Sequence, residues 1–173
     1  MYSKVLWKNG TFLTPQHFQQ ADRHLEALLR PTGALHYGVI FLQFDTTSLQ
    51  QRKLGLRRCR AIFPDGTPVN IGRDPQTQRD GDDPTPPLQD FVFPATQERL
   101  EVFLTLPNEI ADGRYLERQV DIKDIFSPSS ARMVQLGDKN LRFAFSGQSA
   151  TGLSALKVAE LIHNAGGEVS LQE

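Results

Sequence analysis

The residues of this chain whose types could carry chemistry are few: four histidines (His17, His24, His36, His163), a single cysteine (Cys59), a cluster of aspartates (Asp74, Asp80, Asp82, Asp83) and a glycine-bounded segment from Gly147 to Gly152. His17 and His24 fall on one face of a helical pattern, but seven residues of helix separate them by about 10.5 Å, too far for two ligands of one tetrahedral metal. No carboxylate pattern stands beside His36 or His163 to orient a general base. Cys59 sits in a strand-like run, where a thiol behaves as a small buried hydrophobe. The aspartates lack the one-three-five spacing and closing glutamate of a calcium loop and read as part of a solvated loop. Gly147 to Gly152 has the glycine spacing of a phosphate-binding loop, yet Leu153 stands where that loop needs its lysine. These residues therefore assign no catalytic group, no cofactor and no metal.

What stands out instead is apolar. Val5, Leu6, Trp7, Phe12, Leu13 and Phe18 put large side chains into a terminal segment with few neighbours to cover them. Such an arm either folds back to complete a core or offers a partner a large contact area in a short segment.

The elements that must position this arm follow from periodicity. Phe18, Ala21, Leu25, Leu28 and Leu29 recur at three- and four-residue steps, which predicts a helix over Pro15 to Arg30, with Thr14 as N-cap and Pro31 and Gly33 ending it. After Gly33 the period falls to two. Tyr37 to Phe44 is apolar on both faces and predicts a strand buried on both sides. Further strands are expected around Leu49 to Leu56, Arg58 to Phe63, Leu88 to Phe93, Arg99 to Leu106, Tyr115 to Asp121, Arg132 to Leu136 and Leu141 to Phe145. Pro64-Asp65-Gly66 is a reverse-turn signal, Gly137 to Asn140 reads as a hairpin between the strands on either side of it, and Gly72 to Pro87 as a long exposed loop. Ser154 to His163 fits strand alternation and a helix face alike, and the tight-turn composition of Asn164-Ala165-Gly166-Gly167 with renewed alternation over Glu168 to Leu171 favours a second hairpin over a helix. The expected fold is mainly β, an antiparallel β-sandwich with an N-terminal arm and one helix, divided into an arm over residues 1–14 and a helix plus sandwich over 15–173.

Composition excludes several classes. With 39% hydrophobic and 23% charged residues, the chain is far from the composition that stays disordered. Nineteen Lys and Arg against twenty Asp and Glu leave no basic surface for a nucleic-acid backbone, so no nucleic acid is expected. One cysteine forms no internal disulfide, which suits a reducing compartment such as the cytoplasm. No apolar run reaches the roughly 18 residues of a membrane span. The strand-like end at Leu171 points to a fragment of a longer protein. A ligand- or carbohydrate-binding sandwich of another lineage is the rival reading, and a hydrolase with a scattered site is a distant third.

The run Val5-Leu6-Trp7-Lys8-Asn9-Gly10-Thr11-Phe12-Leu13-Thr14-Pro15-Gln16-His17-Phe18-Gln19-Gln20 resembles the opening signature of the TssK (ImpJ/VasE) family of type VI secretion baseplate subunits. His36-Tyr37-Gly38-Val39, Ala61 to Gly66 and Leu104 to Pro107 are similar to later landmarks of that family in the same order, while Lys8-Asn9 departs from the acidic character common before the glycine. The resemblance implies a β-sandwich shoulder domain like that of phage receptor-binding proteins, on a non-enzymatic subunit of a contractile injection machine. It implies docking on the TssF/TssG wedge through Trp7, Phe12, Leu13, Pro15, Gln16, His17 and Phe18. It further implies a homotrimer in the full-length protein, contact with the TssL/TssM membrane complex through a C-terminal region absent here, and a place at the cytoplasmic face of the inner membrane.

Overall fold

The computed structural model describes residues 3–29, 37–72, 82–93, 97–108, 113–124, 126, 130–163 and 169–172. The chain divides into two compact units, Met1–His36 and Tyr37–Glu173, so the helix of the N-terminal segment goes with the arm in this division and not with the sandwich.

In the first unit, helix α1 spans Pro15–Leu29, in agreement with the spacing of its apolar residues. In the second, eleven strands and one short helix are described: β1 (Gly38–Phe44), α2 (Thr46–Gln50), β2 (Lys53–Leu54), β3 (Leu56–Ile62), β4 (Pro68–Ile71), β5 (Gln89–Asp90), β6 (Arg99–Pro107), β7 (Tyr115–Lys123), β8 (Ala131–Lys139), β9 (Arg142–Phe145), β10 (Leu153–His163) and β11 (Val169–Gln172). Two antiparallel sheets, in the orders β1-β3-β4 and β11-β10-β6-β9, supply most of the core. The fold is thus mainly β and antiparallel, as expected.

Burial follows the period of two. On β6, Leu100, Val102, Leu104 and Leu106 are nearly or wholly removed from solvent, and each fully buried leucine contributes about 2 kcal/mol of transfer free energy. Across the core, β3 and β4 answer with Cys59, Ala61, Val69 and Ile71. Burial, with the Asp83 carboxylate as a lesser influence, pushes the Cys59 thiol up to about 11. In the native chain Cys59 is therefore expected to ignore Ellman's reagent at pH 8 and to react stoichiometrically once unfolded in guanidinium. Stoichiometric labelling within minutes under native conditions would contradict the packing.

Four expectations are corrected. First, β1 is an edge strand, not one buried on both sides: Val39, Ile40 and Phe41 are 39%, 61% and 49% exposed. Its register on β3 shifts between Val39 and Phe41, so the side chains after that point no longer follow a simple alternation. Second, the Leu49 to Leu56 region opens as a helix. Asp45 caps it, accepting from the Thr47 amide at 3.3 Å and the Ser48 hydroxyl at 2.7 Å, as an N-cap side chain does. A left-handed Arg52 (φ 55°) then turns the chain into β2. Third, Gly137 to Asn140 is no hairpin: β8 runs through Gly137 and pairs with β7 along its whole length, while β9 crosses to pair with β6. Gly137 serves a close approach instead, because a Cβ there would lie 3.1 Å from Cβ of Tyr115. Fourth, of Leu88 to Phe93 only Gln89–Asp90 is strand, paired with β2.

Other expectations hold. Pro64-Asp65-Gly66 does turn the chain, with the Gly66 amide donating to Phe63 O at 2.9 Å. β10 and β11 pair antiparallel. Most of the expected Gly72 to Pro87 loop lies outside the described residues, but its far end is held. Asp83 accepts from the Asn70 amide at 2.9 Å and from Lys139 Nζ at 2.8 Å, and Pro86 is buried.

Candidate functional site

The arm enters α1 through a turn. Lys8 O accepts from the Thr11 amide at 3.1 Å and Thr11 Oγ1 accepts from the Lys8 amide at 3.2 Å. Gly10 takes φ 81° at the third position of this turn, the conformation a type II turn requires and a side chain resists. At the start of the helix the Thr14 amide and hydroxyl both point at His17 Nδ1, at 3.3 and 2.8 Å. His17 thus supplies one half of a capping box, its ring reaching back from the third helical position to the N-cap amide, and the same bonds fix the ring. Trp7 then lies against two side chains of the first helical turn, its ring centroid 6.0 Å from His17 and 6.2 Å from Phe18. Gln20 Nε2 donates to Ser3 O at 2.8 Å, tying the start of the arm to the same helix.

Of the residues expected at the site, this geometry brings together Trp7, His17 and Phe18 and leaves Phe12 and Leu13 apart from them. Phe12 is 85% exposed, Leu13 55%, Phe18 53% and Trp7 49%; Pro15 and Gln16 are exposed at the first helical turn. Neither Trp7 nor Phe12 is buried in a core. Three residues outside the expected set share the exposure: Leu6, Leu25 and Leu28. Phe18, Ala21, Leu25 and Leu28 follow a three-four-three spacing, a narrow seam of the kind helices present to one another. The spacing is visible in the sequence; that the seam faces solvent is not.

The other chemistry-bearing residues do not converge. His163 lies against Phe93, ring centroids 5.3 Å apart, Cys59 is in the core, and the Gly147 to Gly152 segment is the turn between β9 and β10. His36, Asp74 and Asp80 lie outside the described residues. Among the described residues no three His, Cys, Asp or Glu side chains gather around a metal-sized space. The most buried charged group among them is Arg114, which donates to Pro107 O and Thr67 Oγ1 at 2.7 Å each and to Asp65 Oδ2 at 3.2 Å. This cluster joins the β3–β4 turn to the end of β6. A cleft of about 740 Å³ opens beside β1 and β11, lined by Leu42, Leu49, Val169 and Leu171 with Arg52 and Arg57. Its one aromatic, Phe44, is buried in the core, so the lining offers no exposed ring for a sugar to stack on. Among the described residues no helix is long and apolar enough to cross a membrane.

A two-sheet antiparallel sandwich, preceded in the chain by an arm and a helix whose apolar side chains face solvent, defines the class of protein. Comparison with known families places it further: the chain belongs to the bacterial type VI secretion family ImpJ/VasE, whose model matches residues 17–173. The type VI secretion system baseplate component TssK1 of Pseudomonas aeruginosa is 45% identical over 76 residues, 42% of this chain and 17% of that protein. A crystal structure of TssK superposes with a TM-score of 0.75 at 26% identity, covering 99% of this chain and 41% of the other. A chain of the type VI secretion system TssK-TssF-TssG baseplate subcomplex, solved by cryo-electron microscopy, superposes with a TM-score of 0.79 at 25% identity, covering 99% and 60%. The chain thus spans less than two thirds of the length of each of these relatives.

Proposed function

We propose that this chain is the N-terminal part of a non-enzymatic structural subunit of the type VI secretion baseplate, and that its arm docks the subunit onto a TssF/TssG wedge. The observation that carries the reading is the exposure of Leu6, Trp7, Phe12, Leu13 and Phe18 in one short segment. Isolated exposed apolar residues are ordinary, but five large ones within thirteen residues form the anchor of a protein contact. The relative solved with TssF and TssG supports the choice of partner. In this reading Trp7, Phe12, Leu13 and Phe18 supply buried contact area. Pro15 and Gln16 contribute at the helix start, and His17 keeps Trp7 in place.

The same reading gives the full-length subunit a homotrimeric state and a position at the cytoplasmic face of the inner membrane. It assigns contact with the TssL/TssM membrane complex to a region beyond this chain. The test is direct binding of purified TssF–TssG complex to the full chain and to a chain lacking residues 1–14. Deletion is expected to weaken binding at least ~30-fold while the β-rich circular dichroism spectrum persists. Undiminished binding of the shortened chain would remove the arm from the docking role.

A further inference from the structure

Strand β1 bonds to β3 on one side, and among the described residues no strand meets its other side. Free edges of natural sheets are blunted by charged side chains, prolines or bulges. Gly38–Phe44 contains no charged residue and no proline. Of its two register shifts, one falls at Ile40 and the other places the extra residue, Arg57, on β3, so β1 itself runs regularly from Phe41 to Phe44.

The two faces beside this edge differ in chemistry. Inward, Leu42 and Phe44 border the cleft of about 740 Å³, whose other apolar walls are Leu49, Val169 and Leu171. Outward, Phe41 and Gln43 stand opposite Arg60 and Arg58 of β3, and residues opposite one another share a face. Cys59, buried between the two arginines, shows that both point away from the core. The side chains of Arg58, Arg60 and Arg52, the last at the rim of the cleft, are exposed and carry no ion pair or hydrogen bond among the described residues. The neighbouring acids are already engaged. Asp45 holds Arg57 at 3.1 Å; beyond β4, Asp82 accepts from Asn70 Nδ2 at 3.0 Å and Asp83 pairs with Lys139 at 2.8 Å.

We propose that an extended segment of a partner protein, apolar and acidic at alternate positions, adds to this edge as a strand. An added strand turns its side chains alternately to the two faces. One set enters the cleft against Leu42, Leu49, Val169 and Leu171. The other stands beside Phe41 and Gln43, about 10 Å from β3 at two strand spacings, a gap that an arginine and a glutamate side chain span together. Backbone bonds supply affinity in such strand addition, and the alternate side chains supply selectivity. A second copy suits the edge poorly. Its own β1 offers no carboxylate, and pairing β1 antiparallel on β1 would gather the arginines of both copies on one continuous face. The contact uses no residue of the arm, so failure of either reading leaves the other standing.

The probe is a short fluorescein-labelled peptide of alternating valine and glutamate, titrated with the 173-residue chain and read by fluorescence anisotropy. Binding is expected with a dissociation constant of ~0.1 mM or tighter, weakening as salt rises. A valine–lysine peptide should bind at least ~tenfold more weakly. So should a valine–glutamate peptide methylated on alternate backbone nitrogens, which keeps its charge but cannot pair along the edge. On the protein side, Arg58→Glu with Arg60→Glu should cost at least ~tenfold, and Arg132→Glu, an exposed arginine on β8, less than ~twofold. The peptide comparisons use the parent chain and stand even if the double variant folds poorly. No binding up to ~1 mM, equal binding of the lysine peptide, or equal binding of the methylated peptide overturns the proposal, as does a β1-linked dimer that excludes the probe.

Discussion

Arg114→Met is expected to lower the unfolding free energy by about 3 kcal/mol, toward the lower end of what breaking a buried ion pair costs, because Asp65 keeps some access to water. Methionine retains most of the apolar volume, so the loss isolates the polar role. Three acceptors lose a donor together: the Pro107 carbonyl, the Thr67 hydroxyl and Asp65 Oδ2. Each buried acceptor left unpaired is costly, whereas an exposed ion pair such as Arg118 with Asp138 is worth under about 1 kcal/mol. The substitution should also change the acid limb of the stability curve. Burial works to raise the Asp65 carboxyl, but hydrogen bonds from Thr67 and the Arg114 guanidinium outweigh it and hold the group below its usual value. A carboxyl depressed in the folded state adds stability that is whole above the unfolded value near 3.8 and is lost as pH falls through the folded value. Urea unfolding at pH 7 and at pH 3 reads both effects: a lower midpoint for Arg114→Met at pH 7, and a smaller drop on acidification than in the parent chain. A variant within about 0.5 kcal/mol of the parent at pH 7, the range of ordinary surface substitutions, would show that the cluster is solvated in solution.

The position of Arg114 matters beyond stability, because it directly precedes β7 and ties the root of the β7–β8 ribbon to the β3–β4 turn. The residue is also a measure of what the sequence hides. Asp65 was legible as a turn residue, but its partner lies 49 positions away, and no local pattern pairs them. Periodicity did show α1 and β6, since each repeats its apolar residues at the spacing of its own element, whereas the β10–β11 pair was legible only through the turn composition between its strands, β10 alone fitting helix and strand alike. It misled wherever the decisive fact was a neighbour. The residues of β1 are apolar enough for a buried strand, yet the strand ends up at a sheet edge. The turn-forming residues of Gly137 to Asn140 were overridden by a partner strand of equal length. Similarly, the seam Phe18, Ala21, Leu25 and Leu28 is legible as one side of a helix while its exposure is not, because spacing says which residues share a face and not what that face meets.

Phe12→Ala is expected to weaken binding to a TssF–TssG complex by about 2 kcal/mol, roughly 30-fold, while leaving the melting temperature within a degree or two. The two halves of this expectation have separate causes. At 85% exposure the ring touches little of its own chain, so its removal leaves no cavity, and surface substitutions of this kind stay within about 0.5 kcal/mol. The same exposure leaves nearly the whole ring free to be buried by a partner, which is where an aromatic side chain contributes most. Trp7→Ala differs in an informative way. Its ring is half covered and lies against His17 and Phe18, so the substitution removes contact area and also frees the arm from the start of α1. Binding should fall at least as far as for Phe12→Ala, with added flexibility over residues 3–13 detectable as faster amide exchange, and with the sandwich melting unchanged. The opposite outcome is equally readable. If either ring completes a core in solution, its loss should cost about 3–5 kcal/mol of stability, as large-to-small core substitutions do. Calorimetry and binding measured on the same two variants separate these cases, and a destabilised chain whose folded fraction still binds TssF–TssG normally would end the anchor reading.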